Sequence, residues 1–130
     1  MYLDGAIADS IPLRFFESIG YEKNVVILTQ PKGYVKGKNK ALPLMKRAFK
    51  CYPDFVDTIA HRHEVYNETS AYVEEQELLG NTLVIRPKTA LPIGRVEHDP
   101  EKLRAVYEIG REAGEEYLEK VKQFLEVPSF

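Results

Sequence analysis

The sequence has no tryptophan and only one cysteine, Cys51. A single thiol cannot close an intrachain disulfide, so the chain must hold together by packing alone, which fits a reducing compartment. It also lacks any apolar run near the ~20 residues that a membrane-spanning helix requires. The first residues, Asp4 among them, offer neither the basic nor the apolar stretch of a secretory signal. An excess of either charge is missing too: 18 basic side chains face 20 acidic ones, for a formal charge of -2. Without a broad positive field, nucleic acid is not an expected partner. Neither G-x-G-x-x-G nor a P-loop occurs, so a nucleotide-binding protein is disfavoured, and no cofactor is expected. These absences together point to a cytoplasmic protein.

What is present suits one globular segment, residues 1–130, with 44% apolar and 29% charged side chains and no linker or repeat to divide it. Tyr2-Leu3 reads as the end of a strand, because Asp4-Gly5 follows and glycine permits a sharp turn. Asp9 and Ser10 are expected to cap a helix over about Ile11–Ile19, with Pro12 in its first turn and Gly20 as its stop. Val25-Val26-Ile27-Leu28 has the continuous apolar pattern of a strand covered on both faces, and Leu83-Val84-Ile85, between Gly80 and Pro87, reads as a second. Between them lie two or three helices, with Leu42, Met45 and Phe49 on one stripe, a break near Cys51-Tyr52-Pro53, and Phe55 and Ile59 beyond it. A last helix over about Pro100–Leu125 should turn Leu103, Val106, Tyr107, Gly110, Ala113, Tyr117, Val121 and Phe124 toward a core. The β-α-β order implies a right-handed crossover between parallel strands. Two strands and the end of a third are few for such a sheet, so further strands are expected outside this segment.

Among residues able to carry chemistry, Asp4 stands at the carboxyl end of an expected strand, where reacting groups gather in open α/β sheets. A carboxylate there can take a proton from a hydroxyl, although Asp-Gly is also an ordinary turn pair. Lys32, Lys36, Lys38 and Lys40 share one loop with Tyr34 and could draw the chain to an anionic membrane surface; the plainer reading is a solvated lysine loop. His61 and His63 lie two apart, which on a helix does not bring them to one metal, and no metal is assigned. Cys51 reads as a small buried apolar residue.

The string Tyr2-Leu3-Asp4-Gly5-Ala6-Ile7-Ala8-Asp9-Ser10-Ile11-Pro12-Leu13 closely resembles the second catalytic block of patatin-like phospholipases, bacterial branch. The resemblance continues through Val25-Val26-Ile27-Leu28-Thr29-Gln30-Pro31-Lys32-Gly33-Tyr34, Arg62-His63-Glu64-Val65-Tyr66-Asn67, Ile85-Arg86-Pro87 and Leu91-Pro92-Ile93-Gly94-Arg95. It implies the carboxy-terminal part of a three-layer α/β/α fold with a mainly parallel sheet. It also implies hydrolysis of a carboxylic ester, a lipid acyl ester above all, by a Ser-Asp dyad in which Asp4 is the aspartate, with Gly5 and Ala6 beside the substrate. The family's G-x-S-x-G nucleophile elbow is missing: none of Ser10, Ser18, Ser70 and Ser129 has the flanking glycines. The resemblance therefore implies that the serine and the oxyanion loop come from an amino-terminal part of the same hydrolase, and that this segment alone is inactive. The alternative is a noncatalytic α/β binding or interaction module in which Asp4 only closes a turn.

Overall fold

A computed structural model describes residues 4–94 and 96–126. The fold is mixed α/β. A single 3-10 turn, Gly5–Ile7, leads into helix α1 (Leu13–Ser18), strand β1 (Asn24–Ile27), helices α2 (Leu42–Ala48) and α3 (Pro53–Leu78), strand β2 (Thr82–Ile85) and helix α4 (Pro100–Glu126). The strand end expected at Tyr2-Leu3 lies outside the described residues. Two compact units emerge from this order. One combines the chain up to Gly20 with Val35–Gln76; the other combines Tyr21–Tyr34 with the chain from Glu77 onward.

The first unit gathers around α3. Ile11, Leu13, and Ile59 and Val73 of α3 are its buried apolar side chains. Val73 is fully enclosed, and burying a side chain of that size contributes about 1.5–3 kcal/mol relative to leaving it in water. Helix α1 is shorter than its sequence suggests, and its start is not capped as expected: Pro12 occupies the N-cap position with no side-chain bond. The two expected caps are used elsewhere. Asp9 accepts the Ile11 amide at 3.1 Å in a turn of its own, and the Ser10 hydroxyl donates backward to the Ala6 carbonyl at 2.8 Å. Gly20 ends the helix as expected; its φ of 100° is one that glycine reaches without the clash of a Cβ.

The long helical region resolves into two helices, α2 and α3, separated by a break at Phe49–Tyr52. Pro53 opens α3, where its missing N–H costs no helical hydrogen bond. The Phe49 and Phe55 rings meet edge to face across the break, 5.0 Å between centroids. Cys51, expected inside, is exposed: it sits in this break, where neither helix covers it.

In the second unit β1 and β2 pair in parallel, with Asn24 opposite Thr82 and Ile27 opposite Ile85. That is the pairing a crossover requires, and among the described residues the sheet has these two strands. Thr82 and Val84 are buried, so β2 has a strictly alternating inner face. β1 is not covered on both faces as its apolar run suggests: Val25 and Val26 are half-buried and Ile27 is 74% exposed. A two-stranded sheet has too few neighbours to enclose both strands.

Helix α4 packs on β2, and Asp99 caps it by accepting the Glu101 amide at 2.9 Å. The core stripe expected along α4 needs correction, since none of its residues is buried. Val106, Ala113, Tyr117, Val121 and Phe124 are half-buried, whereas Leu103, Tyr107 and Gly110 are exposed. The cover on this helix is partial, since the strand it packs on, β2, has only four residues. Arg86 pairs with Glu77, and Lys88 with Glu116 at 2.7 Å, within the same unit. Among the described residues no helix is long and apolar enough to cross a membrane.

Candidate functional site

The segment Asp4–Ser10 is built on its own hydrogen bonds. Asp4 sits at the N-cap of the 3-10 turn, and its Oδ1 accepts the Ala6 amide at 2.8 Å. Its backbone carbonyl accepts the Ile7 amide at 3.1 Å, closing the turn. Its side chain is exposed and makes no ion pair or further hydrogen bond among the described residues. Gly5 does not occupy the left-handed region, so the turn does not require glycine as the sequence suggests. The space a Cβ would take at Gly5 is open.

Helix α3 fixes this segment from the side. Arg62 donates its Nε–H to the Ala6 carbonyl at 3.0 Å, the same oxygen that accepts from Ser10. One turn along, Asn67 clamps a second segment, accepting the Lys36 amide at 2.8 Å and donating its Nδ2–H to the Lys36 carbonyl at 3.1 Å. The Lys36 ammonium lies 4.5 Å from the centre of the Tyr66 ring. Arg62, Tyr66 and Asn67 all belong to the Arg62–Asn67 string noted in the sequence, and their partners are two separate loops. No sequence spacing signals these bonds, since the partners lie 56 and 31 positions away.

Beside these bonds the first unit has a cleft of about 220 Å³. Ile7, Ala8 and Ser10 form one wall; Asp57, Thr58, His61, Arg62, Val65, Tyr66 and Thr69 of α3 form the other. Asp4, Gly5 and Ala6 do not line it. The cleft starts at Ile7, the end of the 3-10 turn that Asp4 opens. His61 Nδ1 is 3.3 Å from the Asp57 carboxylate and 3.0 Å from the Asp57 carbonyl, an exposed pairing along one helix face. The sequence carries no signal for this cleft, because its two walls are far apart in the chain and only folding brings them together.

The lysine loop is divided. Lys36, Lys38 and Lys40 belong to the first unit and Lys32 to the second. Lys32, Lys38 and Lys40 are exposed, and Lys36 is half-buried against Tyr66. Another cluster had no sequence signal: the Tyr72 hydroxyl donates to Glu17 at 2.6 Å while the Arg14 guanidinium lies 4.2 Å over the Tyr72 ring. That bond to Glu17, then burial, raises the Tyr72 pKa above its ordinary value of 10.0, with Arg14 opposing. No group of three or more His, Cys, Asp or Glu side chains placed to hold a metal occurs among the described residues.

The model of a domain of unknown function, DUF6363, matches residues 52–126, more than half of the chain. The chain belongs to the DUF6363 family. No curated protein matches the chain, and no solved structure does. The DUF6363 match takes in α3, β2 and α4, and with α3 one whole wall of the cleft. The opposite wall, Ile7 to Ser10, and Asp4 lie ahead of the DUF6363 region.

Proposed function

We propose that this chain is the carboxy-terminal part of a patatin-like acyl hydrolase, with Asp4 the proton acceptor of a Ser-Asp dyad. One observation carries the proposal: the Asp4 carboxylate is anchored through one oxygen only. Oδ1 is oriented by the Ala6 amide, while no described residue bonds Oδ2. The segment behind it is braced, because the Ala6 carbonyl is held by both Ser10 and Arg62. A carboxylate oriented in this way, with a free oxygen, is what a general base needs before a hydroxyl is brought to it.

In the proposed reaction a serine outside this segment attacks the ester carbonyl as Asp4 takes its proton, giving a tetrahedral oxyanion that a glycine-rich loop stabilises. Collapse expels the alcohol, which recovers the proton from Asp4. Water, deprotonated by Asp4, then attacks the acyl-serine carbonyl, and the serine oxygen leaves with the proton returned by Asp4, releasing the acid. The open space at Gly5 leaves room for the incoming nucleophile. Gly5 and Ala6 would lie beside the substrate. The parallel β1–β2 pair would join further strands of a three-layer α/β/α domain. Lys32, Lys38 and Lys40 would favour peripheral contact with an anionic membrane, with a cytoplasmic location.

The same Oδ1 bond also favours the rival, a noncatalytic interaction module in which Asp4 merely caps its turn. Asp4→Asn separates the two, because an asparagine oxygen can keep the bond to the Ala6 amide but cannot accept the serine proton. In the full-length protein the substitution should lower kcat for ester hydrolysis by about 10²–10⁴-fold with the melting temperature unchanged. Wild-type turnover would leave only the interaction module standing.

A further inference from the structure

The cleft in the first unit contains an unpaired cation. Arg62 is half-buried, and its one hydrogen bond, from Nε to the Ala6 carbonyl, leaves both terminal nitrogens of the guanidinium without a protein partner among the described residues. A guanidinium has five N–H donors, so four remain. Partial removal from water costs such a group hydration that neighbouring protein acceptors would ordinarily replace. The carboxylate lining the same cleft, Asp57, is engaged by His61 instead and is largely in solvent, where its field is screened.

Three hydroxyls of the cleft have the opposite character. The hydroxyls of Ser10, Thr58 and Thr69 each donate to a backbone carbonyl at 2.8 Å: those of Ala6, Asp54 and Val65. What they present to a ligand is lone pairs, which accept hydrogen bonds from hydroxyls and not from an anion. Ile7 and Val65 supply apolar wall for carbon atoms. The volume corresponds to roughly seven waters at their share of the liquid, enough for a small polar molecule.

We propose that this cleft binds a small polyol phosphate, with the terminal nitrogens of Arg62 forked on the phosphate oxygens and the Ser10, Thr58 and Thr69 oxygens accepting from its hydroxyls. The planar fork of arginine matches two phosphate oxygens at once, which a lone ammonium cannot do. The site does not depend on Asp4. It stands whether or not the chain takes part in ester hydrolysis.

Calorimetric titration of the chain with glycerol 3-phosphate, inorganic phosphate and glycerol tests the assignment. Saturable binding of glycerol 3-phosphate is expected, about tenfold or more tighter than inorganic phosphate, with no saturable heat from glycerol. Thr58→Glu places a carboxylate in the cleft from an exposed position one helical turn before Arg62, where it can pair with the free guanidinium nitrogens and repel a phosphate. It should weaken glycerol 3-phosphate by about tenfold or more at an unchanged melting temperature. Asp4→Asn should leave the affinity unaltered, which separates this site from the dyad. No saturable binding of glycerol 3-phosphate, or an affinity for it within about twofold of wild type in Thr58→Glu, would overturn the site. Equal affinity for inorganic phosphate would overturn its polyol part.

Discussion

Helices α3 and α4 are nearly equal in length, 26 and 27 residues, yet the chain uses them in opposite ways. The apolar stripe of α4 is clear from Leu103 to Phe124, but none of its side chains is buried. In α3 charged, polar and apolar residues are mixed around the whole circumference, yet Ile59 and Val73 are enclosed and two distant loops are tied to it by Arg62 and Asn67. Periodicity records which face of a helix can be buried; how much is buried depends on what arrives to cover it. α3 receives α1 and the Asp4–Ser10 segment within its own unit. α4 has β2 and a sheet of only two described strands.

The sharpest way to break this contrast is to make the same deletion in both helices. Val73→Ala removes atoms that are completely enclosed and should cost about 2–3 kcal/mol, the lost transfer energy plus the cavity left behind. Val106→Ala, at a half-buried position of α4, should cost about 1 kcal/mol or less. Denaturant unfolding of the two variants at equal concentration measures both. Similar losses would show that the α4 face is covered in solution as fully as Val73 is.

A smaller effect tests the polar ties. Asn67→Ala removes both bonds to the Lys36 backbone and leaves an amide and a carbonyl to find water, at a cost of about 1–3 kcal/mol. Amide exchange at Lys36 should accelerate in the same variant. If exchange there is unchanged, the loop is held by something other than the clamp, and the second role given to α3 disappears.

The outline of the fold was legible in the residues and its joints were not. β-branched runs located β1 and β2, Gly20 marked the end of α1, the break before α3 falls near Cys51-Tyr52-Pro53, and Pro100 opens α4 where it stands in the structure. These signals are local: each depends on one residue's backbone preference or on a short repeat. The failures are of burial. Ile27, Cys51, Leu103 and Tyr107 are apolar residues at plausible core positions that lie exposed, because enclosure depends on neighbours that no short window contains. The candidate site divides along the same line. Asp4 could be singled out from its own string, whereas the Arg62 and Asn67 ties and the Tyr72–Glu17 bond join residues 31 to 56 positions apart, and the walls of the cleft are as distant.

The Tyr72–Glu17 bond gives the smallest of these effects and the one that pH can isolate. The phenol is a donor only while neutral, and Glu17 as acceptor, followed by burial, raises its pKa above 10.0. For a group whose folded pKa lies above its unfolded value, the extra stability is complete below the unfolded value and disappears as pH rises through the folded one. The first unit should therefore lose stability in alkali above about pH 10, while from neutral pH to about pH 9 this bond contributes a constant amount. Tyr72→Phe keeps the ring under the Arg14 guanidinium and removes only the hydroxyl. Its cost near neutrality should be about 1 kcal/mol or less, since Glu17 can turn to water. The gap in melting temperature between wild type and Tyr72→Phe should then close as the phenol ionises. A gap that stays constant through the alkaline range would show that the hydroxyl stabilises α3 by packing and not by donating to Glu17.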